Sequence, residues 1–198
     1  MFGKNITKFN QFIFTGLMLV IYCLLSVNSF SQNCKYLKNE VDPFTNKLTK
    51  ETKPSRILGS FYTAGTFRFI KIDTTITLIF DYTLSSYSDF EPYKVKEGGK
   101  LIFLMENGEM ITLKSINNIN GERKVTIGLP PVYSCYLKKI KYRVNQKVLE
   151  QFLSQKLKTI RFYRIEANGN EDYIDAEVKN KHKNVLPNLV KCIMWKSD

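Results

Sequence analysis

From Lys138 to Ile165 the chain carries Lys138, Lys139, Lys141, Arg143, Lys147, Lys156, Lys158, Arg161 and Arg164 against a single acid, Glu150. Tyr136, Tyr142, Phe162 and Tyr163 are interleaved with them. Cations alternating with aromatic rings suit an anionic partner, because the charges attract it and the rings stack beneath it. Lys138, Lys139, Lys141, Arg143, Arg161 and Arg164 are the candidate binding residues, and an anionic polysaccharide, a lipid headgroup or an acidic protein is the candidate partner. A lysine-rich solvated exterior with no partner is the competing reading, since net charge speaks first of solubility.

Other chemistries find less support. His182 is the only histidine, so any imidazole base must use it, and it stands among Lys179, Lys181 and Lys183 with no orienting carboxylate nearby in sequence. Glu106 and Glu109 flank a turn and read as solubilising residues, while Asp172 and Asp175 read as helix-capping acids ahead of a C-terminal helix. Gly98-Gly99 lacks the further glycines of a phosphate loop. No Cys or His pair has metal-ligand spacing, so no metal and no cofactor are expected. A hydrolase would need a site assembled from residues distant in sequence, and it is the alternative to a non-enzymatic module.

The first residues read as an address. Lys4 and Lys8 precede an apolar run from Phe12 to Leu25, and Ser29 and Ser31 supply the small residues a signal peptidase requires. Residues 1–31 are therefore expected to be a signal peptide, cut after Ser31, and 32–198 one domain that is exported to the periplasm, the envelope or the medium. That makes nucleic acid a poor partner. The cut removes two lysines and no acid, so the formal charge falls from +12 to +10. No later stretch is apolar enough to span a bilayer. Of the cysteines left, Cys34, Cys135 and Cys192, at most two can pair. Domain ends often lie close together, which favours Cys34 with Cys192; three buried reduced thiols are the other reading.

The elements that would position such sites are mostly strands. Asn107-Gly108 suits a type I′ turn, which would place Met105 opposite Met110 and Ile102 opposite Leu113. Both faces of that hairpin would then be largely apolar, implying cover on both sides. Residues 64–82 form a second hairpin, with Ile76, Leu78, Phe80 and Tyr82 on one face. An aromatic loop, residues 85–93, follows it, either as a ligand platform or as side chains folded onto the sheet. Pro130-Pro131 places its neighbours at a sheet edge or takes them out of the sheet altogether. Val132–Val144 reads as a long strand with a bulge near Lys138-Lys139. Asn145 caps a helix running to about Leu157. A strand over 159–165 and a helix from about Asp175 to Lys196, interrupted at Pro187, complete the chain.

Cys34-Lys35-Tyr36-Leu37-Lys38-Asn39-Glu40-Val41-Asp42-Pro43-Phe44-Thr45, the run Leu101 to Glu109 and the strand Ile160-Arg161-Phe162-Tyr163 together resemble a family of uncharacterised exported bacterial proteins. The resemblance implies export and carries no activity or ligand. The fold class expected from the residues is α+β: a predominantly antiparallel sheet, as a sandwich or partly open barrel, with one covering helix and a C-terminal helix.

Overall fold

Alternation of large apolar residues along paired strands builds two facing layers. The computed structural model describes residues 34–60 and 62–194, so the expected signal segment lies outside the described residues. From Lys35 onward the chain forms one compact unit. In chain order its strands are β1 (Tyr36–Val41), β2 (Leu48–Thr52), β3 (Ser55–Gly59), β4 (Thr63–Ile72), β5 (Thr75–Ser86), β6 (Lys94–Val95), β7 (Lys100–Met105), β8 (Met110–Lys114), β9 (Ile119–Asn120), β10 (Glu122–Thr126) and β11 (Val132–Val144). Helix α1 (Gln146–Ser154), β12 (Leu157–Ile165), β13 (Glu171–Glu177), a 3₁₀ turn (Asn180–His182) and α2 (Val185–Met194) follow.

One sheet runs β1-β2-β4-β5-β11-β10 with β3 also on β4; the other runs β8-β7-β12-β6-β9 with β13 also on β12. Every pairing is antiparallel, and both sheets are open rather than closed into barrels. The α+β class is thus as expected, in its sandwich form. Phe67 and Phe80 of the first sheet meet Phe103 and Phe162 of the second, with Phe67–Phe103 centroids 5.7 Å and Phe80–Phe162 centroids 5.2 Å apart. Such tilted and edge-on pairs add to the apolar area they bury. Phe152 of α1 joins them, 5.1 Å from Phe103. Helix α2 buries Leu186, Val190 and Ile193 and packs on β2, β3, β4 and α1.

The central hairpin departs from the expected register by one residue. Among residues 106–109 only Gly108 takes positive φ, 87°, and the N–H of Met105 donates to the Glu109 carbonyl at 2.9 Å. This is a type I turn over Glu106-Asn107 closed by a glycine bulge, not a two-residue type I′ turn. Leu104 consequently faces Met110, and Ile102 faces Thr112. A one-residue slip turns a whole strand over. It gathers Leu101, Phe103, Met105, Ile111 and Leu113 on one buried face. The other face has Met110 70 % exposed, so among the described residues the two-sided cover expected for this hairpin is absent.

Two further boundaries are corrected. Helix α1 ends at Ser154, and Leu157 opens β12 as a buried core residue. Its start is as expected: Asn145 Oδ1 accepts the Val148 N–H at 3.0 Å. Residues 171–177 are a strand, so the helix expected from about Asp175 does not begin there, because β12 has a free edge and Tyr173, Asp175 and Glu177 alternate against Ile174 and Ala176. Pro187 then sits in the first turn of α2, where a missing N–H costs nothing.

Cys34 and Cys192 are both disulfide-bonded. Cys135 is a buried free thiol whose pKa burial pushes up. For the chain beginning at residue 32, a thiol titration should therefore read no reactive group in the native state and one in denaturant. Peptide mapping should then recover Cys34 linked to Cys192.

Candidate functional site

Strand β11 decides where the cations point. Its bulge falls between Leu137 and Ile140, with Lys139 in the left-handed region at φ 58°. Such a conformation is uncommon for a residue with a Cβ and needs external support. The Lys139 N–H donates to Asp81 Oδ1 at 2.6 Å, and Asn117 binds the next turn of the strand, accepting from Lys141 N–H at 2.9 Å and donating to the Lys139 carbonyl at 3.1 Å. The extra residue keeps Cys135, Leu137, Ile140, Tyr142 and Val144 all buried. Lys138, Lys139, Lys141 and Arg143 are left exposed.

Strand β10 at the sheet edge extends this surface. Lys124 pairs in register with Ser134 of β11, and its ammonium lies 5.5 Å from the Tyr136 ring centroid; Lys138 lies 5.3 Å from the same ring. Two ammonium groups over one phenol ring gain cation–π attraction. Glu122 approaches Lys138 at 3.5 Å, a solvent-exposed pair. Among the described residues, none of Lys124, Lys139, Lys141 and Arg143 forms an ion pair. Lys124 is the site residue that sequence reading missed, because it precedes the dense basic run and only strand pairing brings it there.

The two arginines of β12 lie elsewhere, on the second sheet and on opposite faces of their own strand. Arg161 makes a two-pronged pair with Asp175, both contacts at 2.6 Å, and stacks 4.3 Å over Tyr173. That hydrogen-bonded guanidinium holds the Asp175 carboxyl below the ordinary carboxylate range. Arg164 is 9 % exposed, bound to Asp172 at 2.7 Å, and lies 3.5 Å from the centroid of Tyr93. Its Nη1 and the hydroxyl of Tyr82 are buried without hydrogen-bond partners among the described residues. Burial pushes the Tyr82 phenol up to about 12. Asp172 and Asp175, read from sequence as helix-capping acids, are strand residues that neutralise these arginines.

The remaining candidates are also placed. Glu106 binds Lys183 at 2.9 Å, and Glu109 binds Gln151. His182 lies on the 3₁₀ turn, where burial and the Lys181, Arg56 and Lys179 cations lower its pKa. Among the described residues no cluster of His, Cys, Asp and Glu could hold a metal ion. In the aromatic loop, Phe90 and Tyr93 fold onto the core, while Tyr62 and Tyr87 meet edge-on at 5.9 Å beside a shallow cleft of about 500 Å³. No described helix is long and apolar enough to cross a membrane.

Comparison with protein-family models, with curated proteins and with solved structures finds no match to this chain. The site stands on its geometry.

The two arginine pairs make different predictions. Asp172→Asn strands a buried guanidinium and should cost about 2 kcal/mol in urea unfolding, less than a fully buried pair because Asp172 keeps partial solvent contact. Asp175→Asn should lower stability only slightly at pH 7, because the pair it breaks is solvent-exposed. Because the folded-state pKa of Asp175 is lowered, its contribution is present above the unfolded carboxylate pKa and disappears as pH falls through the folded value. The wild-type curve should therefore lose more stability on acidification below about pH 4 than the Asp175→Asn curve does.

Proposed function

We propose that the chain is an exported, non-enzymatic module that binds an anionic polymer or lipid headgroups through the outer face of β10 and β11. One observation carries the reading. Lys124, Lys139, Lys141 and Arg143 are exposed and without carboxylate partners among the described residues, on two paired strands of which β11 has its inward side chains held by the core while β10 is exposed along its length. A rigid sheet fixes the spacing of these charges, so a partner bearing regular phosphate, sulfate or carboxylate groups meets several at once. Tyr136, beneath Lys124 and Lys138, offers a flat surface for an uncharged part of the same partner.

Arg161 and Arg164 act in this account as structural ions. Each is neutralised by an aspartate of β13. The export reading supports a partner of the envelope or the medium, and the excess of lysine over acid gives the attraction a range of about 8–10 Å at moderate salt.

On a heparin column the wild-type chain from residue 32 should be retained and eluted by salt. The triple variant Lys124→Gln, Lys141→Gln, Arg143→Gln should elute at clearly lower salt, whereas Arg161→Gln should elute with wild type. Retention that ignores the triple substitution, or that disappears with Arg161→Gln, contradicts the assignment.

A further inference from the structure

The hairpin that carries these cations ends in Ile127-Gly128-Leu129-Pro130-Pro131, a turn without a single polar side chain. Ile127 is 97 % exposed and Leu129 is 104 % exposed, and Val125 just behind them is 49 % exposed. Scattered apolar residues on a surface are ordinary, but two whole aliphatic side chains on one turn are a patch that a folded protein holds in water only at a cost. The core lies in the opposite direction, since β11 buries Cys135, Leu137 and Ile140 toward the second sheet. The turn is also poor in backbone donors, because neither proline has an N–H to desolvate.

Behind the tip comes charge, in a definite order. Arg123 binds Asp89 at 2.6 Å, and Lys138 lies 3.5 Å from Glu122 in a loose, solvent-exposed pair. Lys124 remains, followed farther along β11 by Lys139 and Lys141. On one face of the hairpin Tyr136 lies beneath Lys124 and Lys138, at 5.5 Å and 5.3 Å, and on the other Tyr133 lies beneath Arg123 at 5.3 Å. Apolar residues ahead, tyrosines and cations behind, is the sequence of environments met on entering an anionic bilayer: acyl chains, then the interface, then phosphates. A soluble polyanion would leave Ile127 and Leu129 in water.

The geometry points to a lipid surface as the partner: the tip of the β10–β11 hairpin inserts Ile127 and Leu129 into the headgroup–acyl boundary of an anionic membrane, while Lys124 and Lys138 meet lipid phosphates. The charged half of this inference rests on the anion-binding reading above; the apolar half does not. Shallow insertion by two side chains plus a few cations gives reversible association, since each contribution is modest and only their sum holds the protein to the surface.

The test uses the chain from residue 32, which contains the whole compact unit beginning at Lys35. It is floated with vesicles of phosphatidylglycerol and phosphatidylethanolamine, and with vesicles of phosphatidylcholine alone. Wild type should rise with the anionic vesicles and not with the neutral ones. Ile127→Ser with Leu129→Ser should weaken that association by about tenfold or more, with an unchanged melting temperature and unchanged elution from heparin. The triple cation variant should lose both vesicle and heparin binding. If the tip variant floats as wild type does, or if wild type is retained on heparin yet never floats, insertion is overturned and the anion-binding face stands. A tip that instead mediates salt-independent self-association, with no vesicle binding, also overturns it. Failure of wild type on both heparin and vesicles removes the face and the wedge together.

Discussion

The surface assigned to binding exists because β11 changes phase halfway along. A thirteen-residue strand with strict alternation could not keep Cys135 and Leu137 on the same side as Ile140, Tyr142 and Val144. The inserted residue at the bulge restores the match, and the cost is a lysine in a left-handed conformation, with it and Lys138 out of the ladder. Asp81 and Asn117 meet that cost by bonding the backbone of Lys139 and Lys141. With the inward side fixed, the outward side is fixed too, and Tyr136, Lys138, Lys141 and Arg143 share it. The chemistry of the site is therefore a consequence of core registration, and hydrophobic burial is what orders the charges.

The same logic governs the second sheet. A glycine bulge after Asn107 sets β8 so that its apolar residues join those of β7 on the inner face, and the aromatic contacts from Phe103 and Phe162 to Phe67 and Phe80 then close the sandwich. Along β12 the alternation places Phe162 and Arg164 inward and Arg161 outward. An inward arginine at the end of a core must be neutralised, and Asp172 supplies the charge from the adjacent register position. Aromatic stacking with Tyr93 covers the flat side of the guanidinium.

Much of this was legible in the residues. The antiparallel α+β class, the bulge at Lys138-Lys139, the cap at Asn145 and the edge position around Pro130-Pro131 each rest on a local signal strong enough to survive folding. The errors share a cause. Asn107-Gly108 fits two turn types whose registers differ by one residue, and only the tertiary demand for a single apolar face chooses between them. Asp172 to Ala176 carries both helical and alternating apolar spacing, and the free edge of β12 decides for strand. The basic run looked continuous, yet it divides between two sheets, because charge density along a chain holds no information on which strands become neighbours. Lys124 and the exposed pair Ile127 and Leu129 show the converse, since they gain meaning only once β10 is seen to pair with β11.

The most direct measurement is backbone amide mapping by NMR of the chain from residue 32 during titration with a heparin oligosaccharide. The account predicts shift changes concentrated on β10 and the outer positions of β11, from Glu122 to Thr126 and from Tyr136 to Arg143, with Arg161, Arg164 and the rest of β12 and β13 unmoved. Changes centred on β12 and β13, or spread evenly over every lysine of the surface, would contradict it.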